Sequence, residues 1–310
     1  MLTVTGGDWA VMNSEVQYGC FDSHECRLPL VLKNMADVLA NWLVNHEDPF
    51  AWSLLLTLEF VPLTWVSTGS AKAFGASFFL LFAGNMLEAW REALKTTSTG
   101  VQDEINHKNR SNFLRKNPHV CGIAVVIFLL LYISVCLTCS GGLLPSIGYP
   151  FFVIFAGLCY PKAKRLFPGS KELFMGLSSI LATILFPLAI TKGFSEIPTY
   201  LALNCSWILS LICRIAASDM MFNCFDKKGD EEAEITSVPV CFGIPTARRT
   251  AAGLYCLAAV FSFFSNVSSH LIPCTYLLMG WIVITMGPME WLHVLPTFFL
   301  LPTLSVLRPQ

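Results

Sequence analysis

Charge is scarce in this chain. Asp, Glu, Lys and Arg make up 13% of the 310 residues, against 54% that are hydrophobic, where an ordinary soluble domain carries about 25% charged residues. That shortage excludes a water-soluble globular protein and points to a polytopic membrane protein. The net charge is −1, so no global field draws the chain to nucleic acid. A disulfide framework is missing as well: the 12 cysteines show no paired spacing, and Cys136, Cys159, Cys205, Cys213 and Cys256 lie in apolar stretches, where buried thiols are expected. The Cys136-Leu-Thr-Cys139 pair fits no thioredoxin pattern. Residues 1–27 contain Asp8, Glu15, Asp22 and Glu25 but no apolar run of the kind a cleaved signal peptide needs. Cys20, His24 and Cys26 match no zinc spacing and lack a fourth ligand. Repeats of 20 to 50 residues and low-complexity segments are absent.

What the chain does have is long apolar stretches. A helix needs about 20 apolar residues to cross the hydrocarbon core. By that measure spans are expected near 50–67, 73–91, 119–138, 142–160, 173–191, 198–217, 250–267, 271–287 and 291–307. The fold class is therefore all-α, a membrane bundle of about nine transmembrane helices. Ahead of it, residues 1–49 form a tail and an amphipathic helix, in which Leu28, Val31, Leu32, Met35, Val38, Leu39, Trp42 and Leu43 recur at helical spacing. Residues 50–310 form the bundle. Basic residues gather in alternate loops: Arg91 to Lys116, Lys162 to Lys171, and Lys227 to Arg249. The positive-inside tendency places those loops in the cytoplasm, which puts all candidate chemistry on one face. A bacterial inner membrane is the expected location.

The least expected residues in so apolar a chain are the acids between Arg214 and Gly243. If the run continues as one helix at about 100° per residue, Asp219, Asp226 and Asp230 fall within roughly 40° of one another as a single stripe. Carboxylates packed near a low-dielectric boundary need water, a basic partner or a divalent cation to stay ionised. Ser237-Val238-Pro239-Val240 should then break the helix and Gly243 close the turn. A solvated loop would carry a similar composition.

The spacing of Asp219, Asp226 and Asp230, followed by Ser-Val-Pro-Val-Cys-Phe-Gly at 237–243, resembles the second aspartate-rich motif of the UbiA family of intramembrane prenyltransferases, and within it the 4-hydroxybenzoate polyprenyltransferase branch. A second window is similar to the same family: Tyr160-Pro161-Lys162-Ala163-Lys164-Arg165, then Pro168 and Gly176. A topogenic basic cluster would have much the same composition. The resemblance implies that Lys164 contacts a diphosphate, with Tyr160 lining the cavity beside it and Arg165 nearby.

The family's first acidic motif is an Asn with Asp residues four and eight positions later. Aligning its Asn with Asn85 puts Ala89 and Ala93 at the acid positions; sliding by three puts Glu88 at the Asn position, Glu92 at the first acid position and Thr96 at the second. The slid register keeps a carboxylate, and Asn85, Glu88 and Glu92 share one helical face. Arg110 could be the family's phosphate-binding arginine, and Arg214 could pair with an acid of the site. Glu88, Arg91, Glu92 and Lys95 could equally be exposed pairs on a charged helix end.

Taken together, the resemblance implies a UbiA-like bundle that transfers a prenyl chain from a polyprenyl diphosphate to an aromatic acceptor such as 4-hydroxybenzoate, in quinone biosynthesis. Mg²⁺ would be the cofactor, with Asp219, Asp226, Asp230, Glu88 and Glu92 as candidate ligands. Substrate-binding candidates are Tyr160, Arg165, Arg110, Asn85 and Arg214, and membrane lipid would receive the isoprenoid tail. A relative that keeps the fold and binds lipid without catalysis is the alternative. A cation transporter would instead show inverted repeats and midplane polar residues.

Overall fold

The structure, a computed structural model, describes residues 49–94, 108–265 and 271–286. The tail, the amphipathic helix at 28–43 and the ninth expected span at 291–307 lie outside the described residues, as do the side chains of Glu59, Glu92 and Arg110.

Among the described residues every regular element is a helix. The chain runs through α1 (Pro49–Thr68), α2 (Ala71–Leu94), α3 (Lys108–Lys116), α4 (Pro118–Cys136) and α5 (Leu143–Ala163). It continues with α6 (Ser170–Ile180), a wide turn at Leu181–Leu185, α7 (Phe186–Lys192) and α8 (Glu196–Phe225). The short α9 (Lys227–Glu232) and α10 (Val238–Phe242) precede α11 (Ile244–Phe263) and α12 (Leu271–Met286). The first eight expected spans all fall on helices, with α6, the wide turn and α7 making up the fifth. Among the described residues five stretches are long and apolar enough to cross a membrane: Ala71–Arg91, Pro118–Cys136, Leu143–Ala163, Ser170–Lys192 and Glu196–Phe225. The chain is an integral membrane protein.

Proline sets the local irregularity of the fifth span. Pro187 has no N–H for the Thr183 carbonyl, and the Phe186 N–H bonds five residues back to Leu181 O, which frees the Ala182 carbonyl too. Both orphans are taken up by other helices. Thr64 Oγ1 of α1 donates to Thr183 O at 2.7 Å, and the Tyr149 hydroxyl of α5 donates to Ala182 O. In lipid, where water cannot supply the missing bonds, those two side chains are what let the widened turn exist. They also pin α1 and α5 to the centre of the bundle.

α8 is the central helix, packed mainly on α11 and α6. Ala217, Ala247, Ala251 and Ala252 let α8 and α11 approach closely around Met220, Met221 and Tyr255. Around α2 the packing is aromatic: Phe82 stacks on Phe128 at 4.2 Å, and Tyr149 and Phe152 both stack on Phe186. α8 has 30 residues and is kinked at Asn204 (φ −120°, ψ 22°); its contour is at most about 45 Å at 1.5 Å per residue, against a hydrocarbon core of about 30 Å. It outruns the expected span at 198–217, and its last two turns carry Asp219 to the bundle's end.

Opposite ends of the bundle are closed by separate sets of loop contacts. At one end Lys72 Nζ donates to Thr138 O (2.6 Å), Ser140 Oγ to Thr191 O (2.5 Å) and Gly141 N to Ile190 O (2.7 Å). A Cβ at position 141 would run into the Ala189 and Ile190 carbonyls, so that crossing requires glycine. At the other end Arg248, in the first turns of α11, donates to the Val283 and Ile284 carbonyls of α12. The loops 164–169 and 226–243 also meet at that end.

Replacing Thr64 with Val keeps the shape but strips the donor from Thr183 O. We expect a loss of about 1–3 kcal/mol in unfolding measured in detergent. Adding Pro187→Ala, which returns an N–H to the wide turn, should recover part of it. Additive losses in the double variant would show that the Thr64 contact does not compensate for the proline.

Candidate functional site

The site begins with the fastening of two loops far apart in sequence. Gly169, at φ 88°, turns the chain from α5 into α6, and its N–H donates to Thr236 O at 3.3 Å. Thr236 N–H returns to Lys164 O at 3.2 Å, and its hydroxyl lies 3.2 Å from Phe167 O. Arg165 Nη2 donates to Ala233 O at 2.8 Å. The far strand of this clasp is shaped by the end of α9. Ile235 N–H bonds Asp230 O and Glu234 N–H bonds Glu231 O, a Schellman cap with Glu234 at φ 57° where glycine is usual.

Beneath the clasp lies a buried polar layer. Lys171 Nζ sits 3.1 Å from each carboxylate oxygen of Asp230, and both side chains are almost fully buried. Next to Lys171, Glu172 Oε1 accepts from Asn223 Nδ2 (3.0 Å) and from the Val238 N–H that opens α10 (3.3 Å). Asn223 Nδ2 also donates to Asp219 Oδ2, one turn earlier on α8, at 3.2 Å. One amide thus bridges two carboxylates, which fixes its orientation, because the oxygen end would repel both.

The wall facing this layer comes from α5 and α2. The Lys164 ammonium lies 5.0 Å from the centre of the Tyr160 ring, in cation–π range, and Tyr160 packs on Phe174 at 5.7 Å. The Tyr160 hydroxyl is within electrostatic reach of Asp219, Asp226 and Asp230, and of Glu88 from α2. Acidic positions nearly 140 residues apart therefore share one neighbourhood. On α2, Glu88 pairs with Arg91 at 3.2 Å and Asn85 Nδ2 donates to Thr57 Oγ1 of α1 at 3.2 Å. Arg214 is fully buried within α8, and its charge is felt at Tyr276 of α12.

The continuous acidic stripe expected on one helix does not form. α8 ends at Phe225, Asp226 occupies the junction, and a separate short helix carries Asp230. The turn brings Asp230 onto Lys171. Pro239 likewise starts α10 instead of ending a helix, since Ser237 is extended and proline suits the first turn. Gly243 closes the following turn at φ 81°, as expected. Lys171, Glu172 and Asn223 were not among the candidates. Their signal was available: a Lys-Glu pair inside the first turn of an apolar span, and an amide four residues after Asp219 on the same face.

Asp219, Asp226 and Asp230 offer the hard oxygen donors that Mg²⁺ prefers. Among the described residues, however, no three or more acidic, histidine or cysteine side chains are arranged to hold a metal ion. Both oxygens of Asp230 are taken by Lys171, so the three-aspartate set does not fit a metal as it stands.

No family model and no curated protein matches the chain. Among solved structures it is similar to a UbiA homologue from Archaeoglobus fulgidus bound to DMAPP and Mg²⁺. The two are 15% identical, with a TM-score of 0.49, over 84% of this chain and 97% of the other. It is also similar to a digeranylgeranylglyceryl phosphate synthase, again 15% identical, with a TM-score of 0.46, over 83% of this chain and 91% of that one.

Asn223→Leu removes the bridge between Glu172 and Asp219 and should lower stability by about 1–3 kcal/mol in thermal unfolding. Asn223→Asp, which adds a third like charge, should cost more. Wild-type melting of both variants would mean the bridge does not hold the acids together.

Proposed function

We propose that the chain is an intramembrane prenyltransferase of the UbiA type, which moves a prenyl chain from a polyprenyl diphosphate to an aromatic acceptor such as 4-hydroxybenzoate. The observation that carries the reading is the neighbourhood of the Tyr160 hydroxyl, where Glu88 of α2 and the aspartates of α8 and α9 come within reach of one point. Lys164 and Lys171 add positive charge beside them. Such a mixture at the end of an apolar bundle suits a substrate with a multiply charged head and a hydrocarbon tail.

In this reading Lys164 holds the diphosphate as a compact charge. The Tyr160 and Phe174 rings face the allylic carbon as its bond to oxygen breaks, and their π-faces favour the developing cation. Arg165 and Ala233 hold the clasp over the reacting groups and keep water from the cation. Asp219 and Asp226 are the carboxylates that would hold a Mg²⁺ cofactor, which would offset the diphosphate charge. Arg91, Arg110 and Arg214 are the cations available to an acceptor carboxylate. The loops of the site face the cytoplasm, by their basic content.

The bonding of Asp230 to Lys171, and the alanines at 89 and 93, favour a second reading: a protein that binds prenyl lipid without turning it over. Membranes or purified protein supplied with a polyprenyl diphosphate, 4-hydroxybenzoate and Mg²⁺ distinguish the two. We expect prenylated product, abolished by chelation and restored by Mg²⁺. Asp219→Ala and Asp226→Ala should each reduce turnover on the order of 100-fold or more, as when a group stabilising developing charge is removed, and Lys164→Ala should raise KM for the diphosphate. Binding of the diphosphate with no product from any aromatic acceptor would leave the second reading.

A further inference from the structure

Two cations could neutralise the third aspartate of the cluster: a metal from solution or a side chain of the protein. The geometry points to the second, and we infer that Lys171 is a resident cation that stands where a metal would otherwise bind Asp230. Its ammonium is equidistant from the two carboxylate oxygens, 3.1 Å to each, as a chelated cation would be. Both partners are more than nine-tenths buried, so water cannot compete for the pair. Lys171 also lies within electrostatic reach of Asp219 and Asp226, so its one charge is shared by the whole acidic group.

The surrounding chain is built to hold that lysine in place. It occupies the first turn of α6, directly after the Gly169 turn that Thr236 fastens, and its neighbour Glu172 is tied to α8 and α10. Asp230 is delivered by the break at Asp226 and held by the cap of α9. A lysine that merely lined a solvated loop would need none of this. A fixed cation lowers the charge that external metal must supply, so the cluster takes up one metal ion fewer than three free aspartates would. Lys171 is thus a positioning residue: it removes Asp230 from the metal set, so that a metal at the cluster would rest on Asp219 and Asp226. This inference rests on the proposed function only in expecting a metal at those two aspartates.

The test counts metal on the purified full-length protein, using Mn²⁺ followed by electron paramagnetic resonance of the free ion, with thermal unfolding measured alongside. Asp230→Asn should leave the number of bound Mn²⁺ ions as in the wild type. Lys171→Met should gain one ion per chain, or at least a tenfold higher affinity, and Lys171→Met with Asp230→Asn should lose that gain. Should Lys171→Met alone fail to fold, the double variant should still fold and melt above Asp230→Asn, because it buries no unpaired charge. Loss of a bound Mn²⁺ in Asp230→Asn, no gain in a folded Lys171→Met, or a double variant no more stable than Asp230→Asn would each overturn the inference. The count is independent of turnover: absence of prenylated product together with the expected Mn²⁺ pattern would contradict the proposed function and leave the role of Lys171 standing.

Discussion

Buried charge at the edge of a membrane is the constraint around which this end of the protein is arranged. Asp219, Asp230, Glu172 and Lys171 lie close together beneath two loops, where an isolated ion would be too costly to keep. Each is accommodated by a partner from another segment. Lys171 meets Asp230 across 59 residues of sequence, and Asn223 joins Asp219 to Glu172. Removing one partner leaves a buried charge exposed to a poor solvent, so the loops, caps and helix breaks that deliver these side chains depend on one another.

That dependence explains features that look irregular in isolation. α8 stops at Phe225 although its apolar pattern and the acids beyond could continue a helix; the stop lets α9 fold back so that Asp230 reaches α6. Glu234 takes a left-handed conformation to complete the cap that holds Asp230, at some cost to an L-residue. Thr236 then joins this strand to the carbonyls of Lys164 and Phe167. In the middle of the fifth span the logic is that of lipid alone: the orphaned carbonyls of the wide turn are satisfied by Thr64 and Tyr149, since water cannot supply the missing bonds there.

Much of the fold was legible in the sequence because a membrane imposes a simple rule. Apolar stretches of the required length predicted eight spans that all fall on helices, and the distribution of lysine and arginine predicted that alternate loops share an end, as loops 164–169 and 226–243 do. The site was legible in part. Tyr160, Lys164, Asp219, Asp226, Asp230 and Glu88 were identified by motif, and they occupy one electrostatic neighbourhood around Tyr160. What periodicity could not supply was the break at Asp226, because counting residues at 100° assumes the helix continues. Nor could it supply the Lys171–Asp230 pair: a lysine in the first turn of an apolar span signals a buried cation without identifying the carboxylate it meets. Arg214, a cation in an apolar span, was singled out from the sequence; it is fully buried in α8, with its charge felt at Tyr276 of α12.

The account's central claim is that the end of the bundle carrying Tyr160 and Lys164 receives the diphosphate. Lysine acylation read by mass spectrometry tests it directly, with the exposed Lys162 and the opposite-end Lys192 as internal references. With a non-reactive prenyl thiodiphosphate and Mg²⁺ present, acylation of Lys164 should fall several-fold while Lys192 stays unchanged. Unaltered labelling of Lys164 at saturating ligand, or protection centred on Lys192, would contradict it.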